Sequence, residues 1–426
     1  METVNRRATY CLYPTPAQDA ALQAQRESHR LLYNAALEQR RAAWKRQRIT
    51  VGHAEQCRDL TELRHDESRP LPAQAAQHTL KRVERAFQAF FRRLKGGADA
   101  PGYPRFKSRK RFKGWSYPTH GDGWRLLPRE GMQHGRLRLS GVGHVRIRGD
   151  ARTIGEPKTC DILYRHGTWY ASITVACQPE RTNGVASLAF DWGVETFATI
   201  ASTDSEPASI ANPRLLGQSE EQLKAAYRAR DTKCKFSRAW RLANKRAAQL
   251  HAKIARQRLD FHHKQAAEMI GSAAAVFTER LQVANMTRRP KPKTAAITGG
   301  FAPNGAAAKA GLNKAILDGA PAQFLSIIRY KAAEAGVVYV EAPTRQLKPS
   351  QRCHACDAVV KKPLAERWHT CPCGASCHRD VNAALVLLHW GMAHVLSVFL
   401  ASLWLQNNGS QELTPGLGTQ NLHPEP

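Results

Sequence analysis

A multidomain α+β fold is predicted by three changes of pattern along the 426 residues. Residues 16–95 carry apolar side chains at helical spacing, and residues from about 120 to 180 alternate with a period of two. Beyond residue 185, short apolar strands alternate with helical stretches. A chain of this length can hold roughly two or three domains with cores of their own.

Residues 1–15 read as a short strand. Pro14 and Pro16 then lead into a helix on which Leu22, Leu32, Tyr33, Ala36 and Leu37 share one face. More helix follows to about residue 95, where "KGGADAPGYP" ends it: Pro101, Gly102 and Pro104 put the next cations on a stiff loop. Residues 81–113 carry twelve Lys and Arg against Glu84 and Asp99, with Phe112 and Trp115 interleaved or adjacent. A solvated helix face is the ordinary explanation of such a run. Basic side chains mixed with aromatics also suit phosphates and stacked bases. We therefore take Arg92, Arg93, Lys95, Tyr103, Arg105, Lys107, Arg109, Lys110, Arg111 and Lys113 as candidate nucleic-acid contacts.

"RLRLSGVGHVRIRG" (136–149) is a hairpin signal with a Gly-rich turn, and "CDILYRHGTWYASITVA" (160–176) is a second, turning at His166-Gly167. One face of this β-domain should be apolar and the other lined with arginine. After "QPERTNG", the run "VASLAFDWGVETFATIAS" (185–202) predicts a buried strand, a tight turn and another strand. A long Lys/Arg-rich helical hairpin over 219–272 adds Arg256, Arg258 and Lys264 to the candidate nucleic-acid contacts. "AAVFTERL" (274–281) is a short strand ending in a carboxylate, and Gly-rich "TAAITGGFAPNGAAAKAG" (294–311) reads as a mobile loop. A helix (322–336) and a strand (337–343) complete an α/β pattern.

The charge balance narrows the partners. Against 35 Asp and Glu stand 64 Lys and Arg, a formal charge of +29 with a pI near 10.1. Such an excess calls for polyanion, and nucleic acid is the obvious one because phosphate contacts release counterions. The 42% hydrophobic content argues for folded domains over basic tails, and a membrane surface is the weaker rival. Residues 383–405 carry no formal charge and are long enough to span a bilayer. Polar His389, His394, Ser397 and Ser402 lead us to expect a largely buried terminal helix instead. The start "METVNRRATYCLYPT" has no apolar core of a secretory signal, and the ten cysteines do not form a disulfide framework. A reducing cytoplasm and a metal site are the expectation.

Five cysteines crowd into residues 353–377. Cys353-x-x-Cys356, fourteen residues, then Cys371-x-Cys373-Gly374 offers four thiolates at the spacing of a structural Zn²⁺ site. The second pair is one residue short of Cys-x-x-Cys, so Cys377 or His369 could replace a ligand. A second constellation is acidic. Asp191 follows "SLAF" and Glu279 follows "AAVFT", each closing an apolar strand, while Asp380 falls in the first turn of "DVNAALVLL". An Asp at a helix start is ordinarily a cap. Carboxylates at the ends of buried strands are harder to explain as decoration, and three of them converging repel unless cations lie between. Nucleases hold two Mg²⁺ in this way, one activating water and one steadying the leaving oxygen.

Seven stretches in order resemble the TnpB proteins of insertion sequences, relatives of type V CRISPR effectors and of Fanzor: "YNAAL" (33–37), "GYPRFKSRKRF" (102–112), "FDWGVETFATI" (190–200), "RQRLDFHHK" (256–264), "FTERLQVANM" (277–286), "GLNKAILDGAPAQFLSIIRYKAAEAG" (311–336) and "SQRCHAC…CPCG…HRDVNAA" (350–384). The resemblance covers most of the chain. It implies an RNase H-like (RuvC) α/β nuclease domain over 183–348 and 375–405, with Asp191, Glu279 and Asp380 as its metal-binding carboxylates. It also implies a zinc-binding insertion over 349–374 held by Cys353, Cys356, Cys371 and Cys373. A β-barrel wedge domain is expected over 1–16 and 114–182, with a helical recognition domain inserted over 17–113 and a disordered tail over 406–426. The implied activity is RNA-guided endonuclease cleavage of double-stranded DNA beside a short transposon-adjacent motif, with two Mg²⁺, a structural Zn²⁺ and a guide RNA transcribed from the element's own end. The setting is the bacterial cytoplasm and nucleoid, with no membrane. Two departures stand out: Cys-x-Cys replaces the family's second Cys-x-x-Cys, and His378 replaces the outer acid of "DRDVNAA". A nuclease-inactive RNA-guided repressor and a transposase acting directly on element ends are the competing readings; repressors of this kind usually lose carboxylates that this chain retains.

Overall fold

The computed structural model describes residues 3–66, 71–127, 133–150, 155–178, 182–294, 300–363 and 365–408. The chain divides into two compact units, Met1–Pro179 and Glu180–Pro426.

The first unit opens with β1 (Val4–Tyr13) and α1 (Pro16–Gln47). The turn between them is set by sequence: the Thr15 hydroxyl accepts from the Gln18 N–H, the Gln18 side chain accepts from the Thr15 N–H, and Pro16 starts the helix. Helices α2 (His53–Asp66) and α3 (Ala73–Lys95) follow, and α3 stops at Gly96, ahead of the proline-rich loop. Tyr33 and Leu37 of α1 pack with Leu80, Val83 and Phe87 of α3 and with Phe112 in a core of their own. Strands β2 (Gly114–Tyr117), β3 (Trp124–Leu127), β4 (Gln133–Leu139), β5 (Gly143–Asp150), β6 (Glu156–Arg165) and β7 (Thr168–Cys177) then join β1 in one antiparallel sheet of order β2-β6-β7-β1-β5-β4-β3. Trp115 and Tyr117 from one edge share a core with Trp124 and Leu126 from the other, so the sheet curls into a nearly closed barrel. The β6–β7 turn lies at His166-Gly167, both at positive φ, as a two-residue hairpin requires. The helices are therefore an insertion between the first strand of the barrel and the rest.

The second unit begins with β8 (Ala186–Trp192), β9 (Thr196–Ser202) and β10 (Ala208–Ala211). There follow α4 (Leu215–Gln218), α5 (Glu220–Asp231), α6 (Arg238–Ser272), β11 (Ala273–Glu279), α7 (Val283–Met286), β12 (Lys293–Thr294), β13 (Phe301–Ala302), α8 (Ala306–Gly319), α9 (Pro321–Ala335), β14 (Val338–Ala342) and α10 (Thr344–Leu347). A small hairpin of β15 (Trp368–Thr370) and β16 (Ser376–His378) leads directly into α11 (Arg379–Asn408). The main sheet has the order β10-β9-β8-β11-β14, with β11 parallel to both β8 and β14 and β9 antiparallel to β8. Helices cover both faces. Leu188, Phe190, Phe197 and Val276 meet α6 and α9 on one side. Ala189, Ala201, Ala275 and Phe277 meet Ala384, Val386, Leu387 and Leu388 of α11 on the other.

Two expectations need revision. Helix α11 is not largely buried: its first turns are core as far as Leu388, but Leu396, Val398, Phe399 and Leu400 are all more than half exposed. An all-apolar run carries no periodicity to mark where contact ends. The small residues opposite decide it: at Gly391 a Cβ would stand 2.1 Å from the Phe277 ring, and Val395 one turn on still packs against that core. By length and composition Arg379–Ser402 could cross a membrane. Its buried leucines, each contributing roughly 1.5–3 kcal/mol, dock its beginning onto the sheet instead. The helix also runs to Asn408, past the expected boundary at 405. The Gly-rich stretch 294–311, expected as a loop, holds the end of β12, all of β13 and the start of α8, while its residues 295–299 and the tail from 409 lie outside the described residues.

Candidate functional site

Strands β8 and β11 pair with Ala189 opposite Phe277 and Phe190 opposite Thr278. The next residue on each is a carboxylate, Asp191 on β8 and Glu279 on β11. Alternation puts both on the side of Ala189 and Phe277, the side that α11 covers. Asp380 lies in the first turn of α11. Three elements far apart in sequence thus bring three acids to one place. Burial raises Asp191 well above the usual carboxylate range, and the charges of Glu279 and Asp380 raise it further against the opposing pull of Arg379. Burial likewise brings Glu279 up to about 7. Such a cluster favours protons or a hard divalent cation, for which oxygen donors are the preferred ligands.

Arg379 was not foreseen as a site residue. It is buried, its Nη1 donates to the Pro363 carbonyl at 3.0 Å, and no pattern in the sequence marks a cation at that place as interior. His378 takes up the role left by the missing outer acid differently: its Nδ1 lies 3.9 Å from the Asp380 carboxylate and accepts the Asp380 N–H at 3.3 Å.

The thiols divide into a group of four and an outlier. Cys353, Cys356, Cys371 and Cys373 have all their sulfurs within 4.8 Å of one another. Cys353 and Cys373 are 3.6 Å apart and Cys356 and Cys371 are 3.5 Å apart. Four sulfurs at about 2.3 Å from a tetrahedral Zn²⁺ would stand about 3.8 Å apart, so the set fits zinc nearly as it is. The Ala375 N–H brings the Cys373 thiol down to about 7. An Ala358 N–H favours the Cys356 thiolate, but the Cys373 and Cys371 sulfurs around it push it up to about 12. The four cannot all ionise without a cation. Cys377 is outside the group, paired with His369 across the β15–β16 hairpin, and its thiol is pushed up by burial. His369 is fully buried and, with backbone N–H groups, holds Cys353 below its usual value against desolvation. Among the described residues only these four cysteines draw together so tightly.

Asn382 joins the two clusters. Its Nδ2 donates to the Arg352 carbonyl at 2.7 Å, and its Oδ1 accepts from the His354 N–H at 3.1 Å, tying the thiol loop to the first turns of α11.

The candidate nucleic-acid contacts fall into different groups. Arg92 and Lys95 stand exposed on the last turn of α3, whereas Arg93 binds the Pro101 and Gly102 carbonyls and pins the loop. Tyr103 packs its ring against Phe87 and Phe90. Lys107 is tied to Asn34 through its backbone, and Arg109 pairs with Glu27 at 3.1 Å. Arg105, Lys110, Arg111 and Lys113 are exposed. In the second unit Arg256 is exposed, Lys264 pairs with Asp260 at 2.7 Å, and Arg258 pairs with Asp318 at 3.0 Å. Arg258 also lines a basic cavity of about 970 Å³ with Arg289, Lys309 and Lys314.

On the barrel, strand pairing sets further cations opposite one another. Arg125 stands opposite Arg138, and Arg136 opposite Arg146, all exposed on the outer face of the barrel. A cavity of about 600 Å³ in the same unit is lined by Arg7, His78, Lys81, Arg82, Arg85 and Lys113. Asp161, the acid in that lining, already holds Arg7 and Ser116.

Comparison with known proteins follows the same division. Residues 170–289 match the family described as "Probable transposase" (OrfB of IS605), residues 322–387 match "Cas12f1-like, TNB domain", and residues 1–48 match a "Helix-turn-helix domain". That last stretch folds here as β1 and a single helix. A protein of Streptomyces pristinaespiralis is 29% identical over 407 residues, covering 92% of this chain and 91% of that one. InsQ of Escherichia coli is 28% identical over 327 residues, covering 76% and 75%. Both are named "Putative RNA-guided DNA endonuclease". Among solved structures, Cas12f1 in complex with sgRNA and target DNA superposes with a TM-score of 0.54 over 91% of this chain and 99% of that one, at 10% identity. At that identity the likeness is one of fold. Family matches at the start, in the middle and towards the end, with two relatives aligned over 92% and 76% of its length, make the chain similar to the OrfB proteins of IS605, in keeping with the TnpB resemblance of its motifs.

Proposed function

We propose that this protein is an RNA-guided DNA endonuclease of an insertion sequence, and that its second unit is an RNase H-like (RuvC) nuclease domain cutting target DNA beside a transposon-adjacent motif. The observation that carries this reading is the convergence of Asp191, Glu279 and Asp380 on the α11 face of the β8–β11 pair, with Asp191 raised by the charges of the other two. Divalent cations bound there supply Lewis-acid stabilisation of the scissile phosphate and a water of lowered pKa. The protein's part is positional. The two parallel strands fix Asp191 and Glu279 side by side, docking of Ala384 and Leu387 fixes the start of α11, and Arg379 moderates the repulsion.

Cys353, Cys356, Cys371 and Cys373 would hold a structural Zn²⁺, which keeps the loop before Asp380 folded. Guide RNA and double-stranded DNA are the partners. Support comes from the charge of +29, the arginine ladder Arg125–Arg138 and Arg136–Arg146, and the basic cavity around Arg82. Phosphate contact by such surfaces is sequence-independent, which leaves reading of the target to base pairing. The relatives are bacterial, and we read the setting as cytoplasm and nucleoid.

The test is co-expression with the element's flanking RNA and a plasmid carrying a matched target. Wild type should linearise the plasmid in Mg²⁺ and Asp191→Ala should not. Cleavage that survives Asp191→Ala would discard the assigned site. Guide-dependent binding by wild type with no cleavage under any divalent cation would replace the endonuclease with a repressor.

A further inference from the structure

The hairpin of α5 and α6 has an end that neither metal cluster uses. No residue from 231 to 246 is buried; the first buried residue along α6 is Ala247. Between residues 228 and 246 eight Lys and Arg face one acid, Asp231, which is already paired with Arg230 at 2.7 Å. Cations on an exposed helix end need no explanation. The aromatics among them do.

Phe236 lies in the turn closed by the Ser237 N–H donating to the Cys234 carbonyl at 3.1 Å, and its φ is +70°. This is the third position of a turn, where a positive φ normally demands glycine or asparagine. A side chain with a Cβ costs roughly 1–2 kcal/mol there. The sequence bears that strain at a ring that is 56% exposed. Its ring does not lie flat on the surface. It meets Trp240 edge-on, centroids 5.5 Å apart at 63°, while the Lys235 ammonium sits 5.4 Å from its centroid. The Ser237 hydroxyl caps the Trp240 N–H at 3.1 Å and fixes the second ring in turn. Two aromatics held at an angle, ringed by positive charge, make a platform for a flat π-face that carries negative charge at its edge. A nucleobase on its phosphate backbone has that chemistry.

We propose that the tip formed by Lys235, Phe236 and Trp240 is a base-stacking site, taking either an unpaired nucleobase or the exposed face of the last base pair of a duplex. The proposal rests on the nucleic-acid reading above but not on the carboxylates. Binding is therefore measured without Mg²⁺, so a failed cleavage assay leaves it untouched.

The experiment titrates full-length protein into two 2-aminopurine probes. One is an RNA–DNA heteroduplex of about 20 base pairs labelled in its terminal pair; the other is a single strand of about 15 nucleotides labelled internally. Wild type should quench one or both. Phe236→Gly should weaken binding to the quenched probe about tenfold, the size of one lost stack, while its melting midpoint holds or rises because the strained φ is relieved. Phe236→Trp should keep the quench. Loss confined to the heteroduplex assigns the site to a duplex end, and loss confined to the single strand assigns it to an unpaired base. Equal affinity of wild type and Phe236→Gly for both probes overturns the site alone. A wild type that binds neither probe overturns it together with the nucleic-acid reading.

Discussion

Two groups of like charge in this molecule invite comparison. In the second unit Asp191, Glu279 and Asp380 crowd into a partly buried place where Asp191 stays ionised only with difficulty. In the first, Arg125, Arg138, Arg136 and Arg146 face one another across strands in open solvent. Water and salt relieve the arginines, whose mutual cost is a few tenths of a kcal/mol per pair. Nothing so cheap relieves the carboxylates. On the reading proposed above, the enclosed charge suits a small hard cation and the spread charge an extended polyanion.

The largest effect should come from neutralising the enclosed group. Asp191→Asn keeps the shape and removes the charge, so cleavage should fall by roughly 10³-fold or more, whereas the melting midpoint of the metal-free protein should rise. A midpoint that drops would mean that the carboxylate is structural and would break the comparison. Next comes the thiol set, which gathers charge for a soft cation. Stripping zinc with a chelator, or Cys356→Ser, should open residues 353–378 to protease while leaving the barrel unit resistant, as mapped by limited proteolysis with mass spectrometry.

pH sharpens the contrast further. Glu279 titrates near 7 in the folded protein against 4.5 for the free side chain. A raised carboxyl favours the protonated fold, so its stabilisation is complete below about pH 4.5 and fades as pH climbs to about 7. Metal-free protein should lose up to about 3 kcal/mol across that window, by thermal melts, and saturating Mg²⁺ should flatten the slope. The smallest stability effect belongs to the open group. Arg136→Gln with Arg146→Gln should leave the midpoint within about 0.5 kcal/mol while lowering the salt slope of DNA binding by about 1.8, two phosphate contacts at about 0.9 each. An unchanged slope would mean that the ladder touches no backbone.

Asp191 and Glu279 stand out in sequence because each closes an apolar run, and a charge after "SLAF" or "AAVFT" has few innocent explanations, whereas Asp380 opens a helix and reads alone as a cap. The cysteines were legible by spacing, although the choice between Cys373 and Cys377 needed the β15–β16 hairpin to turn Cys377 away. Periodicity gave the arginine face of the barrel but not the register that sets Arg125 against Arg138. Arg258 could not be read at all: its partner Asp318 is sixty residues away, and a cation committed to an ion pair looks the same in sequence as one awaiting phosphate. The half-exposed α11 escaped for another reason. Uniform apolarity says that a helix can be buried, and only contacts such as Gly391 on Phe277 and Val395 on the same core say how far.

Asn382 has a consequence for how the two clusters respond to each other. One carboxamide fastens the thiol loop at Arg352 and His354 to the helix turn that carries Asp380. The turn that carries Asp380 is thus held twice, by Ala384 and Leu387 on the sheet and by Asn382 on the thiol loop. On the proposed reading, filling the thiol site would tighten the carboxylate site from a distance, and emptying it would loosen the third acid while the two on the strands stay put.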